Sequence, residues 1–76
     1  MNKTRRKQLE ELAAKIDEAK ADLETVKDEE QETFDNMPES LQQGERGQAC
    51  ENAVNAMEDA ISNLEEAFSS IETAME

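Results

Sequence analysis

The sequence predicts an all-α fold, in which two long helices form an antiparallel hairpin that self-associates into a helical bundle. In each half of the chain, apolar residues recur at alternating steps of three and four, which places one apolar seam on each helix. A connector of about ten residues separates the halves, and short connectors favour antiparallel neighbours. The first ladder is Leu9, Leu12, Ile16, Ala19, Leu23 and Val26, and the second is Cys50, Val54, Met57, Ile61, Leu64, Phe68, Ile71 and Met75.

The first helix is predicted to run from residue 4 to about residue 35, with Asn2 or Thr4 as its cap. Good helix formers dominate this segment. The seam weakens where Glu30 and Thr33 occupy positions expected to be apolar. We therefore expect this helix to bend or fray near its end.

Residues 36–45 form the predicted turn region, because Pro38 cannot continue a helix and disfavours helical geometry in the residue before it. Residues 38–41 can form a single turn with proline at its first position. Gln43 or Gly44 then opens the second helix, which is predicted to span about 45–74. Residues 1–76 are thus predicted to be one helical-hairpin domain.

The second helix carries a broad apolar stripe, which suits a helix that touches more than one neighbour. Small domains often need oligomerisation for stability, and a single cysteine cannot form an internal disulfide. We therefore expect the partner to be a second copy or several copies, although the alanines can equally reflect helix propensity alone. The expected oligomer interface comprises Ala53, Ala60, Ala67, Ala74, Met57 and Phe68.

The chain is strongly acidic, with 20 Asp and Glu against 8 Lys and Arg and a net charge of −12. This charge repels duplex nucleic acid and anionic membranes, and it leaves basic protein surfaces as plausible partners. No run of apolar residues has the length of a membrane span or of a signal-peptide core. The unpaired Cys50 fits a reducing compartment. The expected location is therefore the cytoplasm.

No catalytic motif is visible, and no enzyme activity, cofactor or metal is expected. The chain has no histidine, and adjacent carboxylates on a helix point about 100° apart, so they do not converge as acid and base. Cys50 lies on the seam, where a free thiol packs as a small apolar group. The alternative for Cys50 is a thiol that meets its symmetry mate in an oligomer.

Two charged segments are candidates for binding. The first is an acidic strip without an intervening cation, which is either a solvated face or a mimic of nucleic-acid phosphates that binds a basic surface. The second is the basic start of the chain, which has no acid among its first eight residues. The acidic strip is Asp28, Glu29, Glu30, Glu32, Asp35 and Glu39, and the basic start is Lys3, Arg5, Arg6 and Lys7.

The segment from Gly44 to Gly47 is a candidate phosphate site. A helix N-terminus exposes free N–H groups, glycine permits close backbone approach, and Arg46 adds a bidentate donor. The alternative is ordinary turn chemistry with an ion pair. A head-to-tail dimer would bring this site beside the basic start of a neighbour, which makes Arg5, Arg6 and Lys7 candidate ligand-binding residues.

In a single antiparallel hairpin, the same basic start would instead lie beside the end of the second helix. Aligning the two ladders pairs Leu12 with Phe68 and Val26 with Val54. Neutralisation of the basic start by nearby carboxylates is then the structural alternative to ligand binding. The carboxylates concerned are Glu65, Glu66, Glu72 and Glu76.

Three segments, residues 2–7 (NKTRRK), 35–42 (DNMPESLQ) and 45–47 (ERG), resemble small helical proteins encoded by phages and integrative elements of Gram-positive bacteria. The resemblance implies no catalytic residues. It implies a context in which such proteins often antagonise host defence, some as oligomeric sponges for nucleotide immune signals and others as acidic plugs on host enzymes. The possible partners are therefore a small nucleotide or a host defence protein. A purely structural assembly module is the third alternative.

Overall fold

The computed structural model describes residues 1–76 and is entirely helical, which confirms the predicted all-α class. The helices are α1 (Lys3–Asp35), α2 (Glu39–Gln42) and α3 (Glu45–Met75). The short α2 lies inside the predicted turn region, so the chain has three helices where two were expected.

The first helix begins at a side-chain cap and continues without a break. The Asn2 Oδ1 atom accepts a hydrogen bond from the Arg5 backbone N–H at 2.7 Å, which satisfies one free donor of the first turn. The expected fraying near Glu30 is not found, because the helix continues to Asp35. Glu30 is accommodated in the seam, where its Oε1 atom accepts a hydrogen bond from the Cys50 thiol at 3.3 Å.

The connector is held to the end of α1 by one side chain. Pro38 precedes α2, and its carbonyl accepts hydrogen bonds from Leu41 N–H at 2.9 Å and Gln42 N–H at 3.1 Å. The Gln42 Nε2 atom donates to the carbonyl of Phe34 at 2.9 Å. This bond is the second that the Phe34 carbonyl accepts, after the one from Met37 N–H at 3.0 Å, and it fixes α2 beside the end of α1. Gly44 then opens α3.

The long helices α1 and α3 pack against each other, and their contacts run in opposite directions along the two helices. Glu30 meets Cys50, and the Lys20 Nζ atom lies 3.4 Å from a Glu65 carboxylate oxygen. The pair forms a rod of 58 × 14 × 12 Å. Four apolar residues are buried, and no side chain is completely buried. One chain alone therefore forms only a thin core. The buried apolar residues are Ala13, Cys50, Val54 and Ile61.

Every second residue of the seam predicted for α1 lies outside the seam that the structure shows. The predicted seam residues Leu12 and Val26 are 48% and 51% exposed, and Ala19 is also exposed. Lysines 20 and 27 take part in the seam, because their aliphatic stems cover apolar surface while their ammonium groups reach water. The observed stripe of buried and half-buried residues is Leu9, Ala13, Ile16, Lys20, Leu23, Lys27, Glu30, Phe34 and Met37.

This shift moves two residues of the predicted pairs out of the seam. Phe68 shares a groove with Ile16, and Leu12, its predicted partner, is half exposed. Val54 is buried, and its predicted partner Val26 is half exposed. Leu12 and Val26 lie beside the seam because a ladder of threes and fours permits two neighbouring seams on the same helix. None of the helices is long and apolar enough to cross a membrane.

Candidate functional site

The first turn of α3 presents unused hydrogen-bond donors. Gly44 occupies the N-cap position and has no side chain to accept from the turn. The backbone N–H groups of Glu45, Arg46 and Gly47 have no acceptor within the chain, and Arg46 is exposed. A helix N-terminus of this kind carries a partial positive charge. The turn therefore has free donors of the kind that an anion needs.

The two glycines of this turn have different surroundings. A Cβ atom on Gly44 would lie 3.7 Å from the nearest backbone oxygens, an ordinary contact. A Cβ atom on Gly47 would lie 2.0 Å from the carbonyl oxygen of Gln42, which is too close for any side chain. Gly47 is buried, and its close backbone approach serves the packing of α2. Only its N–H group can contribute to an anion site.

Arg46 lies near a thiol and carboxylates as well as near the free donors. Burial, the hydrogen bond to Glu30 and the charge of Glu30 raise the pKa of the Cys50 thiol, and the charge of Arg46 partly offsets this rise. Glu45 stands beside Arg46 in the first turn. Arg46 nevertheless forms no salt bridge within the chain. Its guanidinium group is free for a ligand, which must compete with these carboxylates.

The basic start of the chain is also free. Residues 1–8 are all exposed, and none of the cations among them forms a salt bridge. The basic start therefore forms no ion pair with the carboxylates at the end of α3, and Glu65 pairs with Lys20. The physical reason is register, because α3 covers α1 only from about Leu9 onward. The sequence-predicted residues Arg5, Arg6 and Lys7 thus lie at the end of α1 that α3 does not cover.

A single chain does not bring the two cationic groups together. The antiparallel contacts place the start of α1 beside the end of α3, and Arg46 lies in the first turn of α3. The two groups are therefore near opposite ends of a rod that is 58 Å long. A site that contains both groups needs a second chain.

One flank of the rod is acidic. Asp17 and Glu65 line one groove between α1 and α3, and Glu24 and Glu58 line the next groove along the same flank. Lys20 reaches into the first groove and pairs with Glu65. We call this flank, defined by Asp17, Glu24, Glu58 and Glu65, the acidic side.

The residues expected at an oligomer interface are divided between the seam and the surface. Met57 and Phe68 are half-buried, and Phe68 lines a groove with Ile16, so it packs within the chain. The alanines lie beside that seam on α3. Three of them are half-buried and the last is exposed; these are Ala53, Ala60 and Ala67, then Ala74.

The acidic strip forms an exposed surface at the connector end of the rod. All its members are exposed except Glu30, which is half-buried beside Cys50. Its one ion pair joins Lys27 to Asp28 at 4.0 Å. No group of three or more acidic or cysteine side chains has the arrangement to hold a metal ion. The strip therefore presents its charge to solvent.

Two interactions were not anticipated from the sequence, namely the Cys50–Glu30 hydrogen bond and the Lys20–Glu65 ion pair. The available signal was the seven-residue spacing of Ala13, Lys20 and Lys27, which places both lysines on the same stripe as a buried alanine.

The chain matches no protein-family model, no curated protein and no solved structure.

Proposed function

We propose that this protein is a non-enzymatic, homo-oligomeric binding protein that sequesters a small phosphorylated ligand, such as a nucleotide signal. The observation that carries the proposal is the placement of the free cations. In a chain of net charge −12, Arg46 and the basic start form no ion pairs, although carboxylates are abundant. Cations left unpaired in such a chain are available for an anionic partner.

The binding unit in this proposal is an oligomer of antiparallel α1–α3 hairpins. Head-to-tail packing would bring the basic start of one chain to the connector end of another, where Arg46 and the open turn of α3 lie. Arg46 would bind phosphate through two parallel N–H donors, and backbone N–H groups of residues 45–47 would add further bonds. Arg5, Arg6 and Lys7 of the neighbour would supply additional positive charge.

The acidic exterior restricts the size of the ligand. Long polyanions would be repelled along the whole rod, whereas a small ligand experiences mainly the nearby charges, because the Debye length is about 8 Å at physiological ionic strength. The resemblance to small phage proteins supports a role against host defence, in the host-cell cytoplasm, with a nucleotide immune signal as the ligand.

The test is calorimetric titration of the full chain with ATP, ADP and cyclic dinucleotides. Hydrogen bonds to charged groups contribute about 1.5–3 kcal/mol, so Arg46→Ala is expected to weaken binding by roughly 10- to 100-fold. Lys15→Ala is the matched control, since Lys15 is exposed, forms no salt bridge and lies about 12 Å along α1 from Lys7, the last residue of the basic start. Equal affinities of the wild type and Arg46→Ala would refute this site.

The acidic strip supports a second function, which is inhibition of a protein with a basic surface. The strip is exposed and nearly free of ion pairs, so its charge is available to a partner. Such binding should weaken steeply with salt. Reversal of charge in the strip, as in Glu29→Lys with Glu32→Lys, should abolish capture of the partner, whereas Glu10→Lys with Glu11→Lys at the other end should not. A stable oligomer that binds neither ligand nor protein would instead indicate an assembly module.

A further inference from the structure

The rod has an uncharged flank opposite the acidic side. On α1, Glu24 of the acidic side directly follows the seam residue Leu23, whereas Val26 directly precedes the seam residue Lys27. A residue after the seam and a residue before it lie on opposite flanks of a helix, because each step turns by about 100°. Val26 therefore faces away from the acidic side, as do Ala19 and Leu12, which lie seven and fourteen positions before it.

The same relation holds on α3. Glu58 of the acidic side follows the seam residue Met57, whereas Ala60 precedes the seam residue Ile61. Since Glu24 and Glu58 line one groove, the opposite flanks of the two helices also share one side of the rod. We call it the apolar side. It consists of Leu12, Ala19 and Val26 from α1 with Ala53, Ala60 and Ala67 from α3.

We propose that the apolar side is the surface on which a second copy of this chain docks, head to tail, to form a four-helix bundle. This inference deepens the oligomerisation invoked in the proposed function. The apolar side carries two half-exposed large residues, Leu12 and Val26, beside small alanines that permit close helix approach. A partner helix would bury both large residues and thicken a core that is thin in one chain.

The apolar side forms the centre of the proposed interface. From Leu12 to Val26 it spans about 21 Å of helix, so it covers the middle of the 58 Å rod, and the charged ends complete the contact between the two chains. The acidic side is unsuitable for a second copy, because it would place glutamates against glutamates. Docking through the apolar side keeps the two acidic sides on opposite outer surfaces of the bundle.

Charge complementarity selects a second copy and its direction. The basic start is exposed, and the acidic strip lies at the other end of the same rod. A parallel dimer would place two basic starts together and two acidic strips together. A head-to-tail dimer pairs each basic start with the acidic strip of the other chain. Those acids also offset the repulsion between the basic start and Arg46 of the partner, so the proposed phosphate site can assemble before its ligand binds.

The first test introduces a charge on the apolar side and measures association without any ligand. Val26→Glu places two carboxylates in a two-fold interface, and burial of unpaired charge is expected to weaken dimerisation by about 100-fold or more in sedimentation equilibrium. Thr25→Glu is the matched control, with the same charge change at the next, exposed position of α1. A monomeric wild type, or equal weakening by both variants, would overturn the proposal.

The second test does not depend on a disruptive variant. A spin label at Glu72→Cys, in a Cys50→Ala background, marks the terminal end of each rod. Residue 72 lies about 18 Å along α3 from Ala60, at the centre of the apolar side, so the two labels of a head-to-tail dimer are expected to be about 35–40 Å apart. A separation below about 25 Å, the scale of a few helix diameters, would overturn the head-to-tail direction. A confirmed dimer without nucleotide binding would refute the proposed function and leave this inference intact.

Discussion

Replacement of Gly47 by alanine should destabilise the protein, although alanine is the better helix former. The introduced Cβ atom would lie 2.0 Å from the Gln42 carbonyl oxygen and 2.4 Å from the carbonyl carbon. Contacts below 3.0 Å essentially do not occur for real Cβ atoms, so the backbone of α2 must move by about 1 Å or more. That movement also strains the hydrogen bond from Gln42 to the Phe34 carbonyl.

The opposing contributions give the sign of the effect. Glycine to alanine in a helix gains at most about 1 kcal/mol of propensity. Forced overpacking costs about 1–3 kcal/mol, and a lost hydrogen bond costs about 1 kcal/mol more. The free energy of unfolding should therefore fall by about 1–3 kcal/mol. For a chain of this size, this corresponds to a decrease in Tm of roughly 4–24 °C.

The assay is thermal unfolding followed by circular dichroism at a fixed protein concentration, because association makes Tm depend on concentration. Gly44→Ala is the matched control, since its Cβ atom would lie 3.7 Å from its nearest neighbours. The control should lose only about 0.5 kcal/mol, from the weaker N-cap preference of alanine. A Gly47→Ala variant that is as stable as the wild type, or more stable, would refute the steric reasoning.

Two further predictions concern the ends and the seam of the helices. Asn2→Ala removes the 2.7 Å cap bond to Arg5 N–H and should lower the free energy of unfolding by about 0.5–2 kcal/mol in thermal unfolding, whereas an unchanged Tm would show that the cap contributes nothing. The raised pKa of the buried Cys50 thiol means that the unfolded chain ionises first as pH rises. The free energy of unfolding should therefore fall as pH rises through the ordinary pKa range of a thiol and above it. Urea midpoints of Cys50→Ala, measured from pH 7 to pH 10, should lack this decline. Identical pH dependence in both proteins would contradict the raised pKa of Cys50.

The sequence predicts the helices well and predicts the seam of α1 less well. Heptad spacing and Pro38 are local signals, and they place the long helices within a few residues of where they lie. The choice between Leu12 and Ala13 as a seam residue depends on α3, which favours small Ala13 and the lysine stems on the same stripe. A hydrophobicity ladder disfavours lysine at such a position, so it selects the wrong flank.

The candidate site was predictable in its components and not in its surroundings. Arg46 and the free N–H groups follow from a helix start at Gly44. The burial of Gly47 against Gln42 depends on the path of the connector, which local sequence rules do not specify. The freedom of the basic start likewise depends on how far α3 reaches along α1.

The acidic side has a consequence for the pairing of the two long helices. Its glutamates on α3 belong to a series at positions 51, 58, 65 and 72, and the seam lysines 20 and 27 are also seven residues apart. A shift of one helix by seven residues would therefore place each lysine beside another glutamate, so the Lys20–Glu65 ion pair alone does not distinguish the native alignment from a slipped one. The unequal apolar residues of the seam and the tight Gly47–Gln42 contact break this degeneracy. The connector thus specifies the alignment of two helices whose sequences repeat every seven residues.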